Sequence, residues 1–474
     1  MHAYGLIART RKLIYNTVSA VKGIFSLSLK KIINDEVSIV MTYDQSYMRS
    51  HYRDVFTIAM RCGENMAQNG AEAFRVEDTA IRILKTTGFA YAEAHVSVTG
   101  LILSLDDPSM PHEITLVKRI QDRTSNLLQI SRTNDISRRF VEGQLSVEDA
   151  QKELDALKTA ATYPAWLVAL AITCVGPFFT LMFNGTLADA LSSLLICFIT
   201  GIVTVLIDPI KMPLFLKNLI SALVIGFSFV LSYDVLSLGQ TPGSIISGSI
   251  MPLVPGMLLT VSIRDLLNGD YISGVARGLE AVLIALAIAA GVSISIRLAE
   301  NFRGSYSLSI PDRHFITYGQ DWPIPLWTLF QGLFSFISTY GFIIVFKAQK
   351  SHLLPCGIIG GLTWFIYCLL THYMGNTIPA IFIASLAASI MSYRAAVRLK
   401  SPATVFFTGG IFCLVPGAGI FRVMYYYLSH DVSDGNSQLL LTLETAGLIA
   451  LAIAFHTAFH SLIRSLLARK KPDP

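Results

Sequence analysis

Leu253-Val254-Pro255-Gly256 returns 161 residues later as Leu414-Val415-Pro416-Gly417, each copy inside an apolar stretch, and a further apolar stretch with one glutamate near its start follows each: Glu280 and Glu444. Proline within an apolar helix removes a backbone donor, clashes with the preceding turn and frees carbonyls that hydrocarbon cannot satisfy. Pro252 and Pro255, with Gly256, do this twice within about one turn. A packed kink is the simpler account of one such site, but recurrence in both copies favours a broken helix that lines a binding site. The exposed amides and the positive end of a half-helix would favour a carboxylate there. The candidate binding residues are Pro252, Pro255, Gly256 and Thr260, with Pro416 and Gly417 in the second copy; Ser262 offers a further hydroxyl.

The acids complete the chemistry. Glu280 lies some ten residues into its apolar segment, about 15 Å deep at 1.5 Å per residue, and intramembrane acids are functional candidates by default. Arg277 stands at i−3 on the same helix face and is expected to neutralise it, either as a static ion pair or as the partner of a carboxylate that carries a proton or answers an ammonium. Glu444 has Leu441 at that position, so it is the better placed of the two to take up a proton. Arg264, Asp265 and Asp270 sit in the connection between the broken segment and the Glu280 segment; they read either as a solvated turn or as further charge-handling groups. Asp208, His372, His456 and His460 read as structural.

The elements that must position these residues follow from composition. The chain has 474 residues, 53% hydrophobic and only 15% charged, with a mean hydropathy of +0.54, which excludes an ordinary soluble protein. Most of the charge lies before residue 160. After it come ten apolar segments: 165–183, 190–207, 217–234, 244–263, 271–296, 326–347, 353–371, 377–393, 402–424 and 438–463. Basic residues such as Lys217, Arg264, Lys347, Arg398 and Lys400 gather on one side, against Arg297, Arg303, Arg313 and Arg422 on the other, the asymmetry of a chain whose N-terminal part and C-terminus stay in the cytoplasm. The same sorting accounts for the net charge of +5 without nucleic acid. The six cysteines show no metal-binding spacing and read as small buried apolar residues, and no cofactor or metal is expected.

The match between halves extends past the glutamates, Ala285 to Ala289 reappearing as Ala450 to Ala454. Five spans per copy is an odd number, so the second copy enters the membrane from the opposite face. The fold class is therefore a mainly α membrane protein: about ten transmembrane helices as two inverted five-helix repeats, preceded by a small cytoplasmic α+β domain. The divisions are a basic leader (1–40), the α+β domain (41–162), the first membrane repeat (163–297), an external loop (298–325), the second repeat (326–467) and a cytoplasmic tail (468–474). The leader is either a membrane-surface segment or precedes a start at Met41. Within the domain, helices are expected over 53–71, 75–85, 124–142 and 146–157, and strands over 94–99, 101–105 and 114–117; Ser146 caps the last helix with Asp149 three residues on. Ser97, His95, Asp106, Asp107 and His112 match no hydrolase motif.

The stretch Pro252 to Gly256, continuing through Thr260, Arg264-Asp265, Gly269-Asp270, Ser273-Gly274, Arg277 and Glu280-Ala281, resembles the threonine/serine exporter family. Gly63-Glu64, Gly70-Ala71-Glu72 and Val76-Glu77-Asp78 resemble that family's soluble start, and Val415-Pro416-Gly417 its smaller C-terminal half; the resemblance covers about 50–465. It implies a bacterial inner-membrane carrier, not an enzyme, that exports threonine, serine or a related small carboxylate, driven by protons, through the lipid bilayer. Some relatives resemble dicarboxylate (succinate-type) exporters, so that substrate class stays open, as do a membrane-embedded hydrolase, a ligand-sensing protein and a homo-oligomer.

Overall fold

The computed structural model describes residues 51–108, 112–121, 123–158, 163–210, 212–303 and 323–468. The basic leader, the centre of the expected external loop and the tail beyond 468 lie outside the described residues.

The N-terminal domain opens with α1 (His51–Gln68) and α2 (Ala73–Leu84). Val76, Ala80, Ile83 and Leu84 give α2 one buried face at helical spacing. A 3₁₀ turn and Gly88, at φ +77°, end it. Three antiparallel strands follow in the order β1 (Tyr91–Val96), β2 (Gly100–Asp106) and β3 (Ile114–Arg119). In β2, Leu101, Leu103 and Leu105 alternate inward. The first strand starts earlier than expected, at Tyr91 opposite Asp106, and stops at Val96. The Ser97 N–H donates to the Gly100 carbonyl, and this turn takes Val98 and Thr99 out of the ladder. Helix α3 (Leu127–Val141) begins later than expected because Asn126 caps it by accepting the Gln129 N–H. Ser146 and Asp149 cap α4 (Val147–Lys158) as expected, at 3.1 and 2.9 Å.

Beyond it the chain is helical: α5 (Ala165–Met182), α6 (Leu187–Ile207), α7 (Leu214–Val230, extended by a π turn), α8 (Pro242–Ile250), α9 (Gly256–Leu267), α10 (Tyr271–Arg303), α11 (Ile324–Val345), α12 (Lys350–Met374), α13 (Thr377–Leu399), α14 (Ala403–Ile411), α15 (Gly417–Leu428) and α16 (Val432–Ala468). Eight of these, α5, α6, α7, α10, α11, α12, α13 and α16, are long and apolar enough to cross a membrane. The two other expected spans are each a pair of short helices, α8 with α9 and α14 with α15, split where proline and glycine deny the backbone its helical hydrogen bonds. This is a multi-pass membrane protein. Leu187, Leu191, Leu194, Phe198, Ile202 and Leu206 form an exposed apolar stripe along α6, as a lipid-facing helix requires.

Small residues allow close helix packing: Gly176 leaves no room for a side chain against Cys197 of α6, nor Gly291 against Ala222 of α7. The helices α9 and α16 pack together, as do α15 and α10, so the two broken segments engage each other's halves. Leu259, Ala281 and Ala285 share one core cluster with Ile420 and Ala446, and Ala285, Ala287, Ala289, Ala450 and Ala452 of the repeated alanine-rich stretches are all buried. Arg422, read from sequence as an outer flanking charge, is instead buried within α15.

Candidate functional site

Each glycine of the two breaks abuts the valine of the other. A side-chain carbon at Gly256 would lie 2.3 Å from Val415 Cγ1 and 3.1 Å from Gly417 Cα; at Gly417 it would lie 2.8 Å from Val254 Cγ1. The repeated Val-Pro-Gly motifs thus cross back to back, with only glycine small enough at the crossing.

Beside this crossing lies a cavity of about 330 Å³. Pro252 to Pro255, Met257, Thr260 and Arg264 form one wall, Arg277, Glu280 and Ile284 of α10 another, and Thr404, Phe407, Thr408 and Ile411 of α14 a third. The N-terminal domain adds the Gly70 corner, Val96 to Val98 and the loop Arg123 to Ser125, and Leu214, Asn218, Phe342, Phe346 and Ile453 of the bundle line the rest. Helix α9 starts at this cavity without a side-chain cap, and Leu259 is the first residue after Gly256 whose N–H is answered inside the helix, by the Pro255 carbonyl at 3.2 Å. Its first turn therefore presents amide donors.

Charges tie the domain to the bundle. Arg123 Nη1 donates to Glu280 Oε2 at 2.9 Å and its Nη2 to Oε1 at 3.2 Å. Arg264 pairs with Glu72, and its guanidinium lies 5.4 Å from the centre of the Phe74 ring and 6.0 Å from that of Phe407. Arg277 pairs with Asp265 at 3.0 Å and donates to the Ala71 carbonyl at 2.9 Å. One helical turn from that corner, burial holds the Arg75 guanidinium below its ordinary range, while neighbouring Glu72 acts the other way. Leu127 and Leu128 add backbone hydrogen bonds to the carbonyls of Phe346 and Lys347, at 3.0 and 3.1 Å.

Of the residues selected from sequence, Pro252, Pro255, Thr260, Arg264, Arg277 and Glu280 line the cavity. Gly256, Pro416 and Gly417 lie behind its wall, at the crossing, and Asp265 is fully buried behind Arg277. Four expectations need correction. Arg277 does not neutralise Glu280, because Asp265 and the Ala71 carbonyl engage it while Arg123 reaches the glutamate from the other domain. Glu444 is not buried: it is exposed on α16 beside exposed Leu440, Leu441 and Leu443, away from the cavity. Ser262 ties α9 to α10 through the Gly274 carbonyl at 2.6 Å and is no cavity hydroxyl. The turn 264–270 is solvated only at its tip, since Arg264 and Asp265 turn inward and Asp270 stays half-buried outside the cavity. Thr260 lines the wall with its hydroxyl engaged by the Gly256 carbonyl at 3.2 Å.

Sequence reasoning missed Arg123 and Asp189. The one signal for Arg123 was its place in a short polar connection, where binding residues concentrate. Asp189 is fully buried at the start of α6; it completes a capping box with Thr186 and accepts the N–H groups of Gln240 and Thr241, at 2.5 and 2.9 Å, which fixes the approach to α8. His95 lies 3.8 Å from Glu77 and Ser97 turns to the Gly100 carbonyl, so the two form no nucleophile–base pair. Among the described residues, no group of three or more His, Cys, Asp or Glu is placed to hold a metal ion.

A family model described as threonine/serine exporter matches residues 57–299, and a second model of like description matches 331–459. A Mycobacterium tuberculosis protein named "Probable threonine/serine exporter" is 23% identical over 84% of this chain and 74% of its own length. The Corynebacterium glutamicum "Threonine/serine exporter" is 22% identical over 85% and 82%. A Klebsiella aerogenes protein named "Probable succinate transporter subunit YjjP" is 24% identical over 53% of this chain and 96% of its own. No solved structure matches the chain.

Proposed function

We propose that this chain, which belongs to the threonine/serine exporter family, is a secondary transporter that exports threonine, serine or related small carboxylates across a bacterial inner membrane by alternating access. One observation carries the reading: two Pro-Gly-broken helices from separate halves meet glycine to valine beside a cavity lined by Glu280, an acid within the long apolar helix α10. Broken helices that line a site are the construction expected of carriers. Five elements per half in matching order, and the reciprocal packing of α9 on α16 and α15 on α10, support two inverted repeats. The distribution of basic residues supports a cytoplasmic N-terminal domain and C-terminus.

Glu280 is the group through which the proton gradient acts. Its carboxylate, engaged by Arg123 in this structure, answers a substrate ammonium, and coupling of cargo and gradient at this one group makes the exchange an antiport. With Glu444 exposed, the two acids have unequal roles and Glu280 alone serves the cavity. A dicarboxylate cargo is the second reading, favoured by the 24% identity to the protein named "Probable succinate transporter subunit YjjP". Counterflow in proteoliposomes with labelled threonine, serine, alanine and succinate separates the two. Efflux accelerated by an imposed proton gradient is the expected result; a chain that moves none of the four, or efflux indifferent to the gradient, would overturn the function or its coupling respectively.

A further inference from the structure

Among the cavity's charged groups, two sets are committed to the architecture. Arg264 and Glu72 have side chains only 13% and 4% exposed, and Arg277 and Asp265 13% and 0%. The Arg123–Glu280 pair, also on the cavity lining, differs in exposure, its side chains being 35% and 22% exposed. Its members belong to separate elements, a loop of the N-terminal domain and helix α10, so they can part without breaking a helix. They meet fork to fork through two hydrogen bonds, at 2.9 and 3.2 Å, the geometry in which a guanidinium reads a carboxylate.

Resting on the transport reading, we propose that Arg123 and Glu280 form a two-point receptor for a zwitterion: the guanidinium takes the α-carboxylate of an amino acid, the glutamate takes its ammonium, and the pair exchanges its mutual contact for these two. The exchange conserves charge-assisted hydrogen bonds, so its cost is small, and the cargo itself parts this one link between the domain and the bundle. A dicarboxylate cannot make the exchange, because its second carboxylate meets Glu280; a diamine fails at Arg123 in the same way. The cavity volume of about 330 Å³ suits a small ligand. Specificity is then set by a residue outside the membrane bundle.

The test uses the full chain in detergent with three probes: threonine, threoninamide, which lacks the carboxylate, and 3-hydroxybutyrate, which lacks the ammonium. The parent chain should bind threonine more than about tenfold tighter than either analogue, since a site built for a charged group rejects ligands that lack it. Arg123→Gln should lower threonine to the level of threoninamide and leave threoninamide unchanged. Glu280→Gln should lower threonine to the level of 3-hydroxybutyrate without weakening the latter. Equal weakening of threonine and threoninamide by Arg123→Gln, as a static clamp would give, overturns the receptor, as does unchanged threonine binding. If proteoliposomes of the parent chain transport threonine while Arg123→Gln keeps its selectivity, the receptor falls and the transport reading stands; a parent chain that binds no zwitterion overturns the receptor, and one that also moves none of threonine, serine, alanine and succinate overturns both.

Discussion

Replacing Gly256 with alanine tests the crossing of the two breaks directly. The added methyl would lie 2.3 Å from Val415 Cγ1 and 3.1 and 3.2 Å from the Cα and N of Gly417. Carbon atoms rest about 3.5–4.0 Å apart, so the valine tip must retreat by more than about 1 Å, and a β-branched side chain has few rotamers in which to do so. The other two contacts are backbone at the start of α15, relieved only if the breaks part. Overpacking of this kind costs about 1–3 kcal/mol, about 5–150-fold in the balance between states that press the breaks together and states that separate them. Efflux from proteoliposomes and thermal stability in detergent are both expected to fall. Val415→Ala in the same chain removes the shortest contact and leaves the two backbone ones, so it should restore part of each loss. Gly256→Ala behaving as the parent in both assays, or Val415→Ala restoring nothing, would refute the reasoning.

Glu72→Gln strands the Arg264 guanidinium in a buried place, where removing one partner of a pair costs about 3–5 kcal/mol; the neighbouring Phe74 and Phe407 rings hold the loss toward the lower figure. The N-terminal domain should loosen from the bundle, seen as faster limited proteolysis between them, and unchanged cleavage rates would contradict this. Asp189→Asn puts a donor where Thr186, Gln240 and Thr241 all donate, for a loss of about 3 kcal/mol, read as a lower temperature of thermal inactivation while binding at the cavity is unaltered in the survivors. Burial pushes the Cys62 thiol up to about 12, so at pH 8 about one in ten thousand is thiolate. N-ethylmaleimide should spare Cys62 until the domain is unfolded, and stoichiometric native labelling, located by peptide mapping, would show that the core is open.

The sequence makes the scaffold of the site legible and leaves its wiring hidden. Two Val-Pro-Gly motifs announce where helices must break, since proline acts on its own backbone wherever it sits. The strands and caps of the N-terminal domain are equally local, as Ser146 with Asp149 illustrates. Ion pairing is not local. Arg277 and Glu280 share a helix face three residues apart, yet each takes a partner from elsewhere: Asp265 across a tight turn and Arg123 from 157 positions away. An i,i+3 pair is worth only a few tenths of a kcal/mol, and the fully buried Asp265 for Arg277 and the two-bond fork of Arg123 for Glu280 outweigh it. Glu444 fails as a counterpart to Glu280 for a rotational reason: its helix faces the core with Thr442, Ala446 and Ile449, which turns position 444 outward. Sequence similarity between halves carries over the helix order but not the angle at which each face is presented.

The meeting of Val254 with Gly417 and of Val415 with Gly256 also works as a gear. Each tooth sits in the notch of the opposite wheel, and close-packed atoms cannot absorb displacement by compression. While the breaks are pressed together, a tilt of α9 toward α15 therefore pushes on it at once, and the reverse holds equally. Communication between the two halves needs no relay of residues through the bundle; its whole path is one van der Waals contact long.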